Sequence, residues 1–249
     1  MTAALAFKRT MQKALDSFGF QLIRSMDCFA VQAALTAAKE PVIFDVGAAD
    51  GGVAKIYRER FPQASIHCFE PFPAAFARLK QALGSAPRTF CHAIALSDRQ
   101  GSALLNANVS AATSSLLPTD ARGASFWGGG LLDTTAQVTV ETNTVDAFCA
   151  AAGIAHIDIL KLDVQGFEYA VLQGGRRMLE SQQVGLVYTE LIMCPTYQGQ
   201  RKLHEYLSFF DAVGYELVDF FNPVRRRGQL LQADAVFISR KQALPRGAE

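Results

Sequence analysis

The chain predicts an α/β domain, a mostly parallel sheet with helices on both faces. Three observations carry that expectation. Short apolar runs alternate with stretches of helical spacing, the pattern of successive β-α-β units. The run Val42-Ile-Phe-Asp-Val-Gly-Ala-Ala-Asp-Gly-Gly52 reads as a buried strand, a tight turn at Gly47 and a helix whose start is left open by Gly51 and Gly52. A second strand, Ser65-Ile-His-Cys-Phe69, ends in Glu70, twenty-three positions beyond Gly47. Backbone N–H groups at such a turn face a ligand at the carboxyl end of the strand. An acid at that remove accepts hydrogen bonds from both ribose hydroxyls of an adenosine. Together they predict a nucleoside-binding half-fold.

The remaining elements follow in order. Residues 3–38 alternate apolar and charged positions at helical spacing, and two helices are expected over 3–17 and 20–38. They dock on the domain or cover the mouth of its site. Strand 42–46 leads into a helix over 51–60, closed by Phe61-Pro62. Strand 65–70, a helix over 73–83, a turn at 84–87 and a third strand over 90–96 come next. Ser97-Asp-Arg-Gln-Gly101 makes a hairpin turn into a short strand near 102–107. Residues 108–135 are rich in Ser, Thr, Gly and Ala, with three glycines beside the single tryptophan, Trp127. So long a stretch inside a domain is a lid, a binding loop or disordered. An edge strand is expected over 138–141 and a helix over 144–152. Strand four follows over 157–162, a helix over 167–179 and strand five over 184–190. A helix near 200–213 and strands at 215–220 and 232–239 complete the chain. Joined by a loop, the last two should be antiparallel neighbours.

Composition bounds the function. The 249 residues fit one large domain with a substantial core. A net charge of +1 argues against a broad nucleic-acid footprint. The five cysteines are odd in number, widely spaced and without C-x-x-C, as for reduced thiols in a cytoplasmic protein with no zinc site. No apolar run reaches the length of a transmembrane segment, and no secretion signal is evident.

The turn after strand one discriminates between nucleoside ligands. Dinucleotide sites read G-x-G-x-x-G, because the pyrophosphate needs bare backbone at the second glycine. Here the register is G-x-x-x-G-G, with Ala48 and Ala49 near that place and Asp45 just before the turn. A carboxylate there repels a pyrophosphate but suits the α-ammonium of S-adenosylmethionine, directly or through water. Capping of the turn by Asp45 is the structural alternative. The pattern favours S-adenosylmethionine over NAD.

A second informative run is Ile159-Leu-Lys-Leu-Asp-Val-Gln-Gly-Phe-Glu168. Lys161 and Asp163 interrupt a buried strand with the parity that points both to one face. Either they belong to an internal ion pair, with Glu190 or Asp163 as the partner of Lys161, or both lie beside the sulfonium at the carboxyl end of strand four. Glu168 suits the first turn of the next helix. Candidates to take a proton are Asp163, Glu190, His92 and Tyr197, with His92 more readily a core histidine. Tyr197 and Gln200 bind substrate or order their loop, and Trp127 stacks on a sugar ring or closes the lid. The run Arg225-Arg-Arg227 meets a substrate phosphate or is a solvated loop. Asp163 and Glu190 offer two metal ligands with no third in view, so no metal is expected.

DVGAADGG, FEPFP, AIALSD, residues 108–116 ending in SSL, and LKLDVQGFEYAVLQGG together resemble the FkbM-type methyltransferases over residues 41–239. Residues 190–200 and LLQADAVFIS resemble one branch of that family. The resemblance implies the class I, Rossmann-like methyltransferase fold: a seven-stranded sheet, mostly parallel, with the last strand antiparallel. A helical extension over 1–40 and a tail over 241–249 would flank the domain at 41–240. It also implies S-adenosylmethionine-dependent O-methylation of a hydroxyl on a sugar, glycan or natural product. Position by position, Asp45, Gly47, Ala48 and Gly51 fall at the cofactor turn, and Glu70 at the ribose. Pro71 and Phe72 flank the adenosine, and Ala95, Ser97 and Asp98 lie near the adenine. Asp163, with Glu190 and Lys161, forms the catalytic set. The family usually carries Asn where this chain has Ala49, and often Glu where it has Gln165. An NAD-dependent oxidoreductase and a catalytically silent S-adenosylmethionine-binding module are the rival readings. A base methyltransferase fits less well, because Asp-Val-Gln-Gly stands where such enzymes carry Asn/Asp-Pro-Pro-aromatic.

Overall fold

The computed structural model describes residues 27–243 except Gly129, together with the isolated positions Met11, Leu15 and Phe18. Apart from those positions, the helix expected over 3–17 and the beginning of the one over 20–38 lie outside the described residues, as does the tail beyond Ala243. The first described helix, α1 (Cys28–Leu35), is capped by Asp27, whose carboxylate accepts from the Phe29 amide. It docks on α2 (Gly52–Arg60), where the Tyr57 hydroxyl donates to Gln32 Oε1 at 2.8 Å.

The main sheet takes β1 (Val42–Val46), β2 (Ser65–Phe69), β3 (Thr89–His92), β7 (Ile157–Leu162), β8 (Val184–Ile192), β9 (Tyr215–Arg226) and β10 (Gln229–Ser239). Its seven strands run in the order β3-β2-β1-β7-β8-β10-β9. The pairs joining β1 to β2 and to β7, and β7 to β8, are parallel, whereas β10 is antiparallel to both its neighbours. The expected topology is therefore present, with the last strand reversed. Alternation along the strands fills two cores. Phe44, Phe69 and Leu160 face α5 (Val145–Ala152), α6 (Glu168–Gly174) and α8 (Leu203–Ala212), whereas Ile43, Ile66 and Ile159 face α1, α2 and α3 (Pro73–Leu83).

Four expectations need correction. Strand three breaks after His92; β4 (Ala95–Leu96) leaves the main sheet to pair with β6 (Thr134–Asn143). With β5 (Gly101–Asn108) these form a separate three-stranded sheet in the order β4-β6-β5. The segment expected as an edge strand, β6, is thus a ten-residue central strand. The helix expected over 167–179 splits into α6 and α7 (Arg176–Glu180). At the split a Cβ on Gly174 would stand 1.9 Å from the Ser97 carbonyl oxygen, so the helix backbone rests directly on the β4 turn. Finally, β9 continues through Asn222-Pro223, a proline that an outermost strand tolerates because its N–H side faces no partner.

Candidate functional site

A cavity of about 480 Å³ opens at the carboxyl ends of β1, β2 and β7, a volume within the range of small-molecule sites. Residues 111–116, the near end of the long Ser/Thr-rich stretch, form its opposite wall. That stretch is ordered by a short helix, α4 (Gly123–Trp127), and by bonds to the segment after β8. Asp120 N donates to Thr196 O and Gln198 N to Pro118 O; a further bond runs to the turn after β7, where Ser115 Oγ donates to Gln165 O at 2.7 Å.

The turn after β1 is fixed by close backbone approach. Gly47 has φ +74°, and a Cβ there would stand 1.9 Å from the Asp163 carbonyl oxygen. The amides of Gly47 and Ala48 both donate to Phe69 O, and that of Ala49 donates to Glu70 Oε2 at 2.9 Å. The turn amides expected to face a ligand are therefore spent inside the protein, and they lock the tips of β1 and β2 together. Ala49 itself has φ +49°, a left-handed conformation that Asn tolerates better than Ala. This gives a physical reason for Asn at the position and shows how Ala serves: the bond to Glu70 comes from the backbone.

Glu70 lies on the cavity wall. Its Oε1 accepts from the Phe72 amide at 2.8 Å and its Oε2 from Ala49, which leaves one lone-pair site on each oxygen for a ligand. Burial pushes its carboxyl above the ordinary glutamate range, and the two amides act against that shift. Gly47, Pro71, Phe72, Ala95 and Asp163 also line the cavity, as the sequence suggested, alongside Ile94, Leu96, Leu105 and Leu116. The apolar side is of the kind an adenine ring takes.

Other sequence candidates stand elsewhere. Asp45 has no exposed surface and lies off the cavity wall; its Oδ1 is 2.8 Å from Lys161 Nζ. The lysine also donates to the carbonyls of Val46 and Gly47, at 3.3 and 2.8 Å. Its partner is thus Asp45 rather than Glu190 or Asp163, the latter standing 4.0 Å away. Burial pulls the Lys161 ammonium down, but the neighbouring carboxylates outweigh it and leave the pKa above its ordinary value. The pair lies across the β1–β7 ladder, where Asp45 stands directly opposite Lys161. Ala48 is buried in the core, and Gly51, at φ +87°, packs against Leu79 and Leu83. Ser97 is buried and donates to Asp98. Asp98 faces a second hollow with Phe167 and Tyr169.

Behind Asp163 lies a polar cluster that the sequence hinted at only in part. Gln165 Nε2 donates to Asp163 Oδ1 at 2.9 Å and to Glu190 Oε2 at 3.0 Å. Gln232 donates to the other oxygen of Glu190. Glu190 is buried and lies off the cavity wall, so it meets the cavity only through Gln165. Burial, then the charges of Asp163 and Glu168, drive its carboxyl well above the ordinary range. Sequence reading missed Gln232 and the bridging role of Gln165; a glutamine two positions before an acid in the largely apolar run 230–238 was the available signal. Glu168 opens α6, and its Oε1 accepts from the amides of Val164 and Gly166. Its burial raises the carboxyl to about 7.

The remaining candidates order the walls. Tyr197, 2% exposed, places its hydroxyl 2.9 Å from Thr113 O and 3.0 Å from Gln165 Oε1. Gln200 accepts from the amides of Thr196 and Tyr197 and donates to the carbonyls of Ile192 and Cys194. Trp127 Nε1 donates to Thr196 Oγ1 at 2.7 Å. His92 lies 3.2 Å from His67, stacked on that ring and on Phe69 with Phe148 edge-on, and burial lowers its pKa. Arg226, in the β9–β10 hairpin, donates to the carbonyls of Ser125 and Phe126 in α4.

The strand order, the reversed β10 and the acid-tipped β2 beside the cavity define a class I methyltransferase domain. A model described as the methyltransferase FkbM domain matches residues 45–217, and the chain belongs to that family. It is 31% identical over 188 residues to 2-O-methyltransferase NoeI of Sinorhizobium fredii (strain NBRC 101917 / NGR234), covering 73% of this chain and 75% of that protein. Similar solved structures include an rRNA methylase from Streptococcus thermophilus, at 9% identity and a TM-score of 0.47 over 88% of this chain and 99% of that one. A TehB-like S-adenosylmethionine-dependent methyltransferase from Corynebacterium glutamicum matches at 13% identity and a TM-score of 0.40, over 96% and 99%. The protein is an S-adenosylmethionine-dependent methyltransferase. Its cavity fits that donor: Glu70 keeps lone pairs for two ribose hydroxyls, the apolar wall suits adenine, and Asp163 adds a carboxylate at the far end. Among the described residues no helix is long and apolar enough to cross a membrane.

Proposed function

We propose that the enzyme transfers the methyl group to a hydroxyl of a sugar or glycan acceptor. The observation that carries the reading is the placing of Asp163. Its carboxylate, 43% exposed, stands on the cavity wall beyond the Gly47 turn, in the same cavity as Glu70. Likeness to a 2-O-methyltransferase supports oxygen as the accepting atom.

In this reading Glu70 holds the ribose, the backbone of Val46 and Gly47 lines the amino-acid tail, and Phe72 with Ile94 and Leu96 flanks the adenine. Bound there, S-adenosylmethionine supplies a methyl carbon on a sulfonium; the acceptor oxygen bonds to it as the carbon–sulfur bond breaks. Asp163 takes the hydroxyl proton. Lys161, 4.0 Å away, holds Asp163 electrostatically without touching the cavity. Asp45 neutralises Lys161 rather than binding the donor's ammonium.

The test is methyl transfer from labelled S-adenosylmethionine to a set of methyl pyranosides with free 2-hydroxyls, beside matched 2-deoxy compounds. Label should appear only in the former. Transfer to amine or nucleic-acid acceptors alone would contradict the reading.

A further inference from the structure

Gln165 is under constraint from every side. It has φ +56°, left-handed for a residue with a side chain, and Gly166 follows at φ +88°. Such strain persists only where surrounding bonds over-determine it, and it clusters at functional sites. Here the bonds are visible. The Gln165 carbonyl accepts from Ser115 of the opposite wall; its side-chain NH₂ donates to Asp163 and Glu190; its side-chain oxygen is within reach of the Tyr197 hydroxyl. The amide has one orientation that satisfies this set, with the two N–H groups toward the carboxylates.

We propose that Gln165 is a positioning residue of the methyl-transfer reaction: its forked amide fixes Asp163 at the cavity wall and separates it from the carboxylate of Glu190. This rests on the reading of Asp163 as proton acceptor. The physical reason is the crowding of negative charge. Asp163, just past the end of β7, faces Lys161 on that strand, Asp45 on β1, Glu168 on α6, Glu190 on β8, Asp234 on β10 and the Tyr197 hydroxyl. With one cation among several acids, the charge of Asp163 bears directly on the buried carboxyl of Glu190. An uncharged side chain with two donors bonds both carboxyl groups at once and holds them apart. A glutamate at this position has no such donors unless it is protonated. Glu190 and Gln232 then serve as the anchor from which the amide is aimed.

The experiment compares Gln165→Leu, Gln165→Glu and Asp163→Asn, using labelled S-adenosylmethionine with whichever methyl pyranoside the wild type accepts. Gln165→Leu should lower kcat by about 10- to 100-fold, the scale on which loss of orientation acts, with the donor dissociation constant within about twofold. Gln165→Glu should move the acidic limb of the pH–rate profile to higher pH and recover rate as the pH rises. In the Asp163→Asn background, Gln165→Leu should cost nothing further, because both act through one group. Wild-type kcat in Gln165→Leu, or an unmoved acidic limb in Gln165→Glu, overturns the proposal while leaving Asp163 in place. Full activity in Asp163→Asn overturns the proton-acceptor reading and this inference with it. If the leucine variant melts below the assay temperature, the glutamate variant decides alone.

Discussion

Asp45 and Glu70 stand at the tips of neighbouring parallel strands, and from sequence each was a candidate to hold one end of the same ligand. The structure separates them. Asp45 is sealed in the sheet and neutralised by Lys161, which also braces the carbonyls of the Gly47 turn. Glu70 is held by two backbone amides, neutral donors that leave its charge and half its lone pairs facing the cavity. What satisfies a buried acid decides its work. A cationic side chain seals Asp45 into the sheet, whereas two amides at the cavity wall leave Glu70 with lone pairs open to a ligand.

The comparison can be broken at the ion pair first. Lys161→Met leaves Asp45 uncompensated in the interior and should cost about 3–5 kcal/mol in urea unfolding, whereas Asp45→Asn with Lys161→Met should recover much of it. Full stability of the single variant would show the pair to be dispensable. Glu168 extends the comparison to an acid held by amides but walled from the cavity. Its folded carboxyl titrates near 7 against an ordinary 4.5, so the unfolded chain gives up the proton first as pH rises. Stability should therefore fall between about pH 4.5 and 7, by on the order of 3 kcal/mol, and Glu168→Gln should flatten that slope. A slope unchanged in the variant would remove Glu168 as its source.

Glu70→Gln comes next in size. It keeps an oxygen for one amide but loses charge, and should weaken S-adenosylmethionine binding by about tenfold, or about 1.4 kcal/mol, with calorimetry as the measurement. Asp45→Asn paired with Lys161→Met should leave that affinity nearly unchanged, and an equal loss in both would erase the distinction drawn here. The smallest effect is Ala49→Asn. Relief of the left-handed alanine should raise stability by about 0.5–1 kcal/mol without altering the amide bond to Glu70.

The glycine pattern at 47–52, the acid ending β2 and the apolar runs were enough to place the two strand tips that border the cavity and the order of the main elements. Each is a local property: strand period, turn chemistry and chain spacing. The stretch over 108–135 was visible only as a long polar segment, and its helix and its bonds to the segment after β8 were not. Trp127, Tyr197 and Gln200 carry side chains that suit a ligand, yet each spends them on the protein's own backbone or on a side chain of the same wall.

By itself, then, the sequence determined the fold, the donor and the acid at the tip of β2 on the cavity wall, because period and spacing act between near neighbours in the chain. Tertiary structure alone decided which acid Lys161 would pair with, that strand three would divide, and that Gln165 would stand between Asp163 and Glu190. Those outcomes depend on strand register and on the competition of several carboxylates for few donors, and they arise only when distant segments are brought side by side.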